Sequence, residues 1–253
     1  MIFDYPIVLF VISFAVLALA AWFGVSVLGR RRDPNEDIHD DYATILAATL
    51  TLLGLIIGFT FSMAISRYDQ RKNLEEEEAN AIGTAYVRAD LLPASDAARV
   101  RALLTQYLDV RIEFYGAAHG QDLSDVAARR AKLQADLWAA VQRPAAAEPT
   151  AVAALVAKGM NDVLNAQGYT QAAWWNRIPH AAWLLMVIIA ICSNILIGYG
   201  THGTKAARRL LFVMPLVFSV SFFLIADIDS PRGGVINVKP QNLKSLADSL
   251  RSP

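Results

Sequence analysis

The chain has 253 residues, 55% hydrophobic and only 18% charged, with 23 basic and 23 acidic side chains that cancel to a formal net charge of zero. Such a composition is too apolar for an ordinary soluble domain and points to a membrane protein, and without net positive charge there is no electrostatic basis for binding nucleic acid. The single cysteine, Cys192, excludes an internal disulfide and, within an apolar run, is expected to be a small buried hydrophobe.

The first uncharged stretch is Ile7–Leu28. At 1.5 Å per residue it reaches about 33 Å, enough for a hydrocarbon core of about 30 Å. It lacks a basic n-region and a small-residue cleavage site before Arg30–Arg32, so it is expected to be a retained span rather than a removable signal peptide. Thr44–Ser66 and Ile178–Tyr199 are the second and third spans, and Leu210–Ala226, interrupted by Pro215, is the fourth. The acidic loop between the first two, "DPNEDIHDD" (Asp33–Asp41), offers oxygen ligands but lacks the spacing and glycine of an EF-hand, and is expected to be solvated.

The second span carries two stripes. Gly54, Gly58, Ser62 and Ser66 recur every four residues, a small-xxx-small pattern that lets helix backbones approach where lipid offers no hydrophobic drive. The same small and hydroxyl groups are also tolerated along a water path. Beyond Ser66 the sequence turns abruptly polar, with Arg67, Arg71 and Lys72 ahead of Glu75–Glu78. Arg67 marks the membrane exit, facing a pore or snorkelling. The glutamate run is expected to be a solvated helix face, with Arg71 and Glu75 as an i, i+4 pair.

Between the second and third spans the periodicity is that of an all-helical extramembrane domain. Leu103, Tyr107, Val110 and Phe114 mark one amphipathic helix; Leu133, Leu137 and Val141 mark a second, from about Leu123 to Val141. "QRPAAAEP" (Gln142–Pro149) is expected to break it, and Thr150 to open a third helix with Val152, Val156, Met160 and Val163 inward. Tyr169, Trp174, Trp175 and Trp183 match an interfacial aromatic belt, with core packing as the alternative. The expected architecture is therefore an all-α membrane protein. Residues 1–66 form one transmembrane hairpin, 67–177 the helical domain, 178–226 a second hairpin and 227–253 a C-terminal tail. In that tail Asp227 and Asp229 leave the fourth span just before Pro231 and two glycines, and carboxylates at a membrane exit need a partner. Arg232 is the nearest, so the three residues are candidates for a tail cap or an ion-attracting vestibule.

No enzyme signature is present. His39, His119, His180 and His202 are scattered without metal-ligand spacing, and neither "GLIIGF" nor "SPRGGV" is a phosphate-loop or dinucleotide fingerprint. No catalytic, cofactor or metal residue is assigned.

Two segments carry a family resemblance. "SRYDQRKNLEEEEANAIGTAYVRADLLP" (Ser66–Pro93) and "DIDSPRGGVINVKPQNL" (Asp227–Leu243) make the chain resemble the bestrophin-like family of bacterial membrane proteins of unknown function. More distantly, "LIIGFTFSMAISRYDQRKNL" resembles the pore helix of bestrophin channels, with the Gly58-Phe59 pair followed nine residues after the glycine by Arg67. That resemblance implies a pentamer of four-span subunits in the cell inner membrane, conducting an inorganic ion through a neck lined by the second span. The family's neck positions fall on Thr51, Leu55 and Phe59, one helical stripe about 100° from the small one. Thr51 departs from the usual apolar residue, and the tail has no bestrophin counterpart. A ring of Arg67, Arg71 and Lys72 at the exit would favour anions, and Glu75–Glu78 would favour cations if they faced the axis. The positive-inside rule, applied to Arg30–Arg32 and to Lys205–Arg209, puts the helical domain in the periplasm, the reverse of bestrophins. The competing reading is a non-conducting membrane scaffold or sensor whose domain binds a partner.

Overall fold

The computed structural model describes residues 4–29, 39–117, 121–201 and 209–252. Every regular element among them is helical. Helix α1 spans Pro6–Phe23 and runs on through a π turn, Gly24–Leu28; α2 spans His39–Arg88, α3 Ala94–Gly116, α4 Ser124–Ala147, α5 Ala151–Trp175, α6 His180–Gly200, α7 Val213–Asp229 and α8 Gln241–Arg251. The chain divides into two compact units, Met1–Ser66 with Arg177–Asn237, and Arg67–Asn176 with Val238–Pro253. Arg30–Arg32, Lys205–Ala207 and Arg208, the histidines at 119 and 202 and most of the acidic loop lie outside the described residues.

In the first unit α1 packs on both α6 and α7. Proline at the first position of α1 lacks an N–H that the helix would leave unsatisfied anyway, and its fixed φ starts the turn. Leu17 and Ala21, each 1% exposed, face inward, while Ile7, Val11 and Leu19 are exposed. Two glycines set the α1–α6 approach: a Cβ on Gly198 would lie 2.1 Å from the Ala21 carbonyl oxygen, and one on Gly24 would lie 2.2 Å from that of Ile195. Tyr42 at the start of α2 donates its hydroxyl to the Leu196 carbonyl at 2.6 Å. Pro179 forces Ile178 out of helical geometry, which separates α5 from α6.

Helices long and apolar enough to cross a membrane lie within Pro6–Leu28, Asp41–Leu91 and Ala151–Gly200. The expected fourth span corresponds to α7, whose 17 residues sit at the lower limit for crossing. Pro215 falls in its first turn, where a missing N–H breaks no intrahelical bond. Cys192 is exposed rather than buried, because α6 turns Ala190, Ser193 and Asn194 inward instead.

In the second unit α3 packs on α4 and α8, and α4 on α5. The core takes Tyr107, Val110 and Phe114 from α3, Leu137 and Val141 from α4, and Val156, Met160 and Val163 from α5. Thr150 caps α5, accepting the Ala153 N–H at 3.1 Å. Three expectations change here. Helix α4 does not stop at "QRPAAAEP" but carries Pro144 inside and ends at Ala147, Val152 is exposed, and the aromatic belt divides. Trp174 is buried against Phe114 and Tyr115, with ring centroids at 4.9 and 5.6 Å, and Trp183 meets Phe222 edge-on at 6.2 Å. Only Tyr169 and Trp175 remain exposed.

The glycine contact gives a test. Gly198→Val forces a side chain into the Ala21 backbone and is expected to destabilise the first unit by about 1–3 kcal/mol or more, read as a clear fall in the thermal melting midpoint of purified protein.

Candidate functional site on helix α2 and in the tail

The apolar half of α2 turns a single narrow stripe into its own chain: Leu53 is fully buried, Thr60 is 3% exposed and Ala64 fully buried. The Thr60 hydroxyl is satisfied within the helix, donating to the Ile56 carbonyl at 2.7 Å. Everything else in this stretch that the sequence singled out faces away. Thr51, Gly54, Gly58, Ser62 and Ser66 are exposed, as are Leu55 and Phe59, at 53% and 64%. A Cβ added to Gly54 or Gly58 would meet nothing within 4 Å. Among the described residues Gly54 and Gly58 therefore make no close contact, and the tight glycine packing involves Gly24 and Gly198. Only 11% of α2's most apolar window is buried, against 28% for the first candidate span and 33% for the last.

After Ser66 the same helix enters the second unit and its inward stripe becomes charged. Arg71, Glu75 and Glu78 are 2%, 1% and 0% exposed, followed by Ile82 at 0%. Arg67 is half-buried, whereas Lys72, Glu76 and Glu77 are exposed. The glutamate run is thus split. Its outer pair is solvated and its inner pair lies in the core, since i, i+3 and i, i+4 spacing returns side chains to one face.

Each inner glutamate holds a different element. Glu78 accepts from Arg111 through both Nε and Nη2, the latter at 3.0 Å, with Thr170 Oγ1 at 3.3 Å and the Tyr115 hydroxyl at 3.4 Å. The Arg111 guanidinium lies over Phe114, 4.6 Å from the ring centre. Burial opposes the Arg111 charge, but the adjacent Glu78 carboxylate outweighs it and holds the guanidinium firmly protonated. Burial, and then the Glu78 charge, push the Tyr107 and Tyr115 hydroxyls well above the usual phenol range, so both stay neutral. Glu75 accepts the Leu243 N–H at 3.0 Å and the Asn242 amide at 2.7 Å, supplying from α2 the N-terminal cap of α8.

In the tail, the Asp227 carboxylate accepts the Val235 and Ile236 N–H groups at 2.7 and 2.9 Å and folds the chain back on itself. A Cβ on Gly234 would lie 2.5 Å from the Asp227 carbonyl, so only glycine fits that return. Asp229 is held by a residue distant in sequence. Its partner is Arg177, Nε to Oδ2 at 2.8 Å, which also donates to Asp4 at 2.7 Å, and the Ile178 N–H adds a contact at 3.3 Å. Arg232, the nearest in sequence, is half-buried. The Glu78–Arg111 pair also escaped the sequence reading, although an arginine on the Tyr107–Val110–Phe114 stripe was its visible sign. Among the described residues no three His, Cys, Asp or Glu side chains converge as a metal site.

A bestrophin-like domain model matches residues 11–243. The chain belongs to the bestrophin-like family. Its fold is that of a bacterial bestrophin homolog from Klebsiella pneumoniae: one crystal structure of a single-site mutant is 12% identical, covers 95% of this chain and 96% of its own, and superposes with a TM-score of 0.62. A second, phased on zinc, is also 12% identical, with coverage of 95% on both sides and a TM-score of 0.61. A structure described only as a membrane protein mutant reaches 0.65 at 11% identity, again with coverage of 95% on both sides. No curated protein is similar enough to count as a match. At these identities the likeness is one of fold, and a bestrophin-like fold places the apolar helices in a membrane.

Removing one half of the buried pair tests its weight. Glu78→Gln leaves the Arg111 charge buried and is expected to cost about 3–5 kcal/mol, seen as loss of the cooperative helical melt by circular dichroism. Glu78→Leu combined with Arg111→Met should recover most of that loss.

Proposed function

We propose that the protein is an oligomeric ion channel of four-span subunits, in which α2 of each copy lines a central pore. The observation that carries this reading is the outward face of α2. Lipid does not reward exposure of glycine and hydroxyl groups, and buried packing is the main force between helices in a bilayer. A helix that shows Gly54, Gly58, Ser62 and Ser66 beside Thr51, Leu55 and Phe59, with 11% of its apolar window covered, is suited to contacts outside its own chain. In a ring, the small stripe meets the next copy and the adjacent stripe faces the axis.

On this reading Leu55 and Phe59 form a hydrophobic constriction that controls ion passage by dewetting, and Thr51 gives the neck a polar rim. Arg67, with Lys72 beside it, marks the exit and favours anions. Arg71 and the inner glutamates are assigned to the interior of the helical domain, where they are buried. Asp227 and Asp229, each 2% exposed, serve as tail caps rather than as a vestibule ring. The likeness to a bacterial bestrophin homolog supports a pentamer in the inner membrane, and the positive-inside rule favours a periplasmic helical domain.

Two measurements test the proposal. Native mass determination in mild detergent should give five times the chain mass, and proteoliposomes should pass small inorganic ions, with Leu55→Ala and Phe59→Ala raising the flux severalfold. A monomeric or dimeric particle, or no flux from the parent or either variant, would favour the scaffold reading. For orientation, in a Cys192→Ser background, a cysteine at position 119 should react with an impermeant maleimide added outside intact cells and one at position 35 should not; the opposite pattern reverses the topology.

A further inference from the structure

The chain leaves α7 through a non-helical return, Ser230–Asn237, that belongs to the first unit. Its tip carries Val235 and Ile236, and Val235, at 83%, is the most exposed large hydrophobic residue among those described. A single exposed valine is ordinary on a protein surface, but this one is rigidly displayed. A Cβ on Gly233 would overlap the Asp4 carbonyl oxygen, so the return lies directly against the start of α1. Gly234 is closed on its other side by the Asp227 carbonyl, as described above.

The backbone of the return is hydrogen-bonded within itself. Gly233 donates its N–H to Ser230 Oγ at 2.8 Å, and the Asn237 side-chain amide donates to the Gly234 carbonyl at 2.7 Å. The N–H groups of Val235 and Ile236 go one to each oxygen of Asp227. One buried carboxylate thus satisfies the donors of the two residues whose side chains point outward and are apolar. In water the solvent would satisfy those donors. At a hydrocarbon boundary a non-helical backbone with free N–H groups is costly, and internal partners become necessary.

The location fits such a boundary. The Asp4–Arg177–Asp229 bridge gathers charge where α1 and α6 begin and α7 ends, beyond their apolar stretches. Tyr5 and Ile7, on either side of the α1 start, are themselves exposed. Because the bestrophin-like fold places these helices in a membrane, their lipid-facing surface continues onto the return. We infer that Val235 and Ile236 form an interfacial anchor that inserts into the lipid leaflet on the side where α1 begins and α7 ends, with Asp227 as its backbone cap. The occupant is lipid rather than a second copy of the chain, since an edge whose N–H groups are already taken offers no template for pairing with another backbone. The inference needs only the membrane, not ion conduction.

The test uses the full chain in a Cys192→Ser background, reconstituted in phosphatidylcholine nanodiscs, with a nitroxide attached at Val235→Cys or at Ile236→Cys. Power saturation compares relaxation by oxygen, which concentrates among acyl chains, with relaxation by a water-soluble nickel chelate. Leu19→Cys, exposed on α1, is the lipid reference, and Lys244→Cys, exposed on α8, is the aqueous one. The oxygen-to-nickel ratio at 235 and at 236 should exceed the Lys244 value severalfold and approach that of Leu19. Adding Asp227→Ala, which frees both N–H groups, should lower the ratio at 235 at least twofold, and an unchanged ratio overturns the role given to Asp227. A ratio equal to that of Lys244 at both positions overturns the anchor in favour of a solvated turn. Exclusion of both reagents, with an immobilised spectrum, overturns it in favour of a contact with a second chain.

Discussion

A single unbroken helix has to satisfy two solvents. Helix α2 runs for 50 residues, about 75 Å, and the side it keeps inward is Leu53, Thr60 and Ala64 in the first unit and Arg71, Glu75 and Glu78 in the second. Nothing in the helix geometry changes at Ser66; only the chemistry of the stripe does. The apolar half keeps only a narrow stripe inward, whereas the polar half holds several elements through side-chain hydrogen bonds.

That anchoring works through charge in an unusual place. Buried ion pairs gain little over well-packed hydrophobic groups, but they penalise every arrangement in which one member lacks the other. Glu78 and Arg111 therefore act on which packing of α2 and α3 is permitted more than on how stable it is. Glu75 extends the same logic to α8, a short amphipathic helix whose buried residues are Leu243 and Ala247 and whose far end is held by the Arg251–Asp109 pair. The arrangement ties three elements to one face of α2 without using the part of the helix that faces away.

Much of the fold was legible in the residues. Uncharged runs gave the apolar helices, and 3.6-residue spacing gave α3, α4 and α5 with most of their inward faces, because both signals are local. The failures share a cause: they concern what a residue meets from distant sequence. Glu75 and Glu78 looked solvated because four adjacent carboxylates do, and their partners Leu243 and Arg111 are far along the chain. Trp174 and Trp183 looked interfacial by type and position but face aromatic rings supplied by α3 and α7. Pro144 looked like a break, yet α4 continues through it to Ala147. For the outward face of α2 the residues were readable, and among the described residues nothing packs on Gly54 or Gly58.

The Asp4–Arg177–Asp229 bridge joins the segment just ahead of α1, the linker between α5 and α6 and the last residue of α7. During synthesis these three appear in order, separated by 173 and 52 residues. The ribosome must therefore complete almost the whole chain before Arg177 can hold both carboxylates. Arg177 can meet Asp4 as soon as it is made, but Asp229 joins them only when α7 is complete. The second carboxylate therefore closes the bridge only when the ends of α1 and α7 and the segment leading into α6 are all in place.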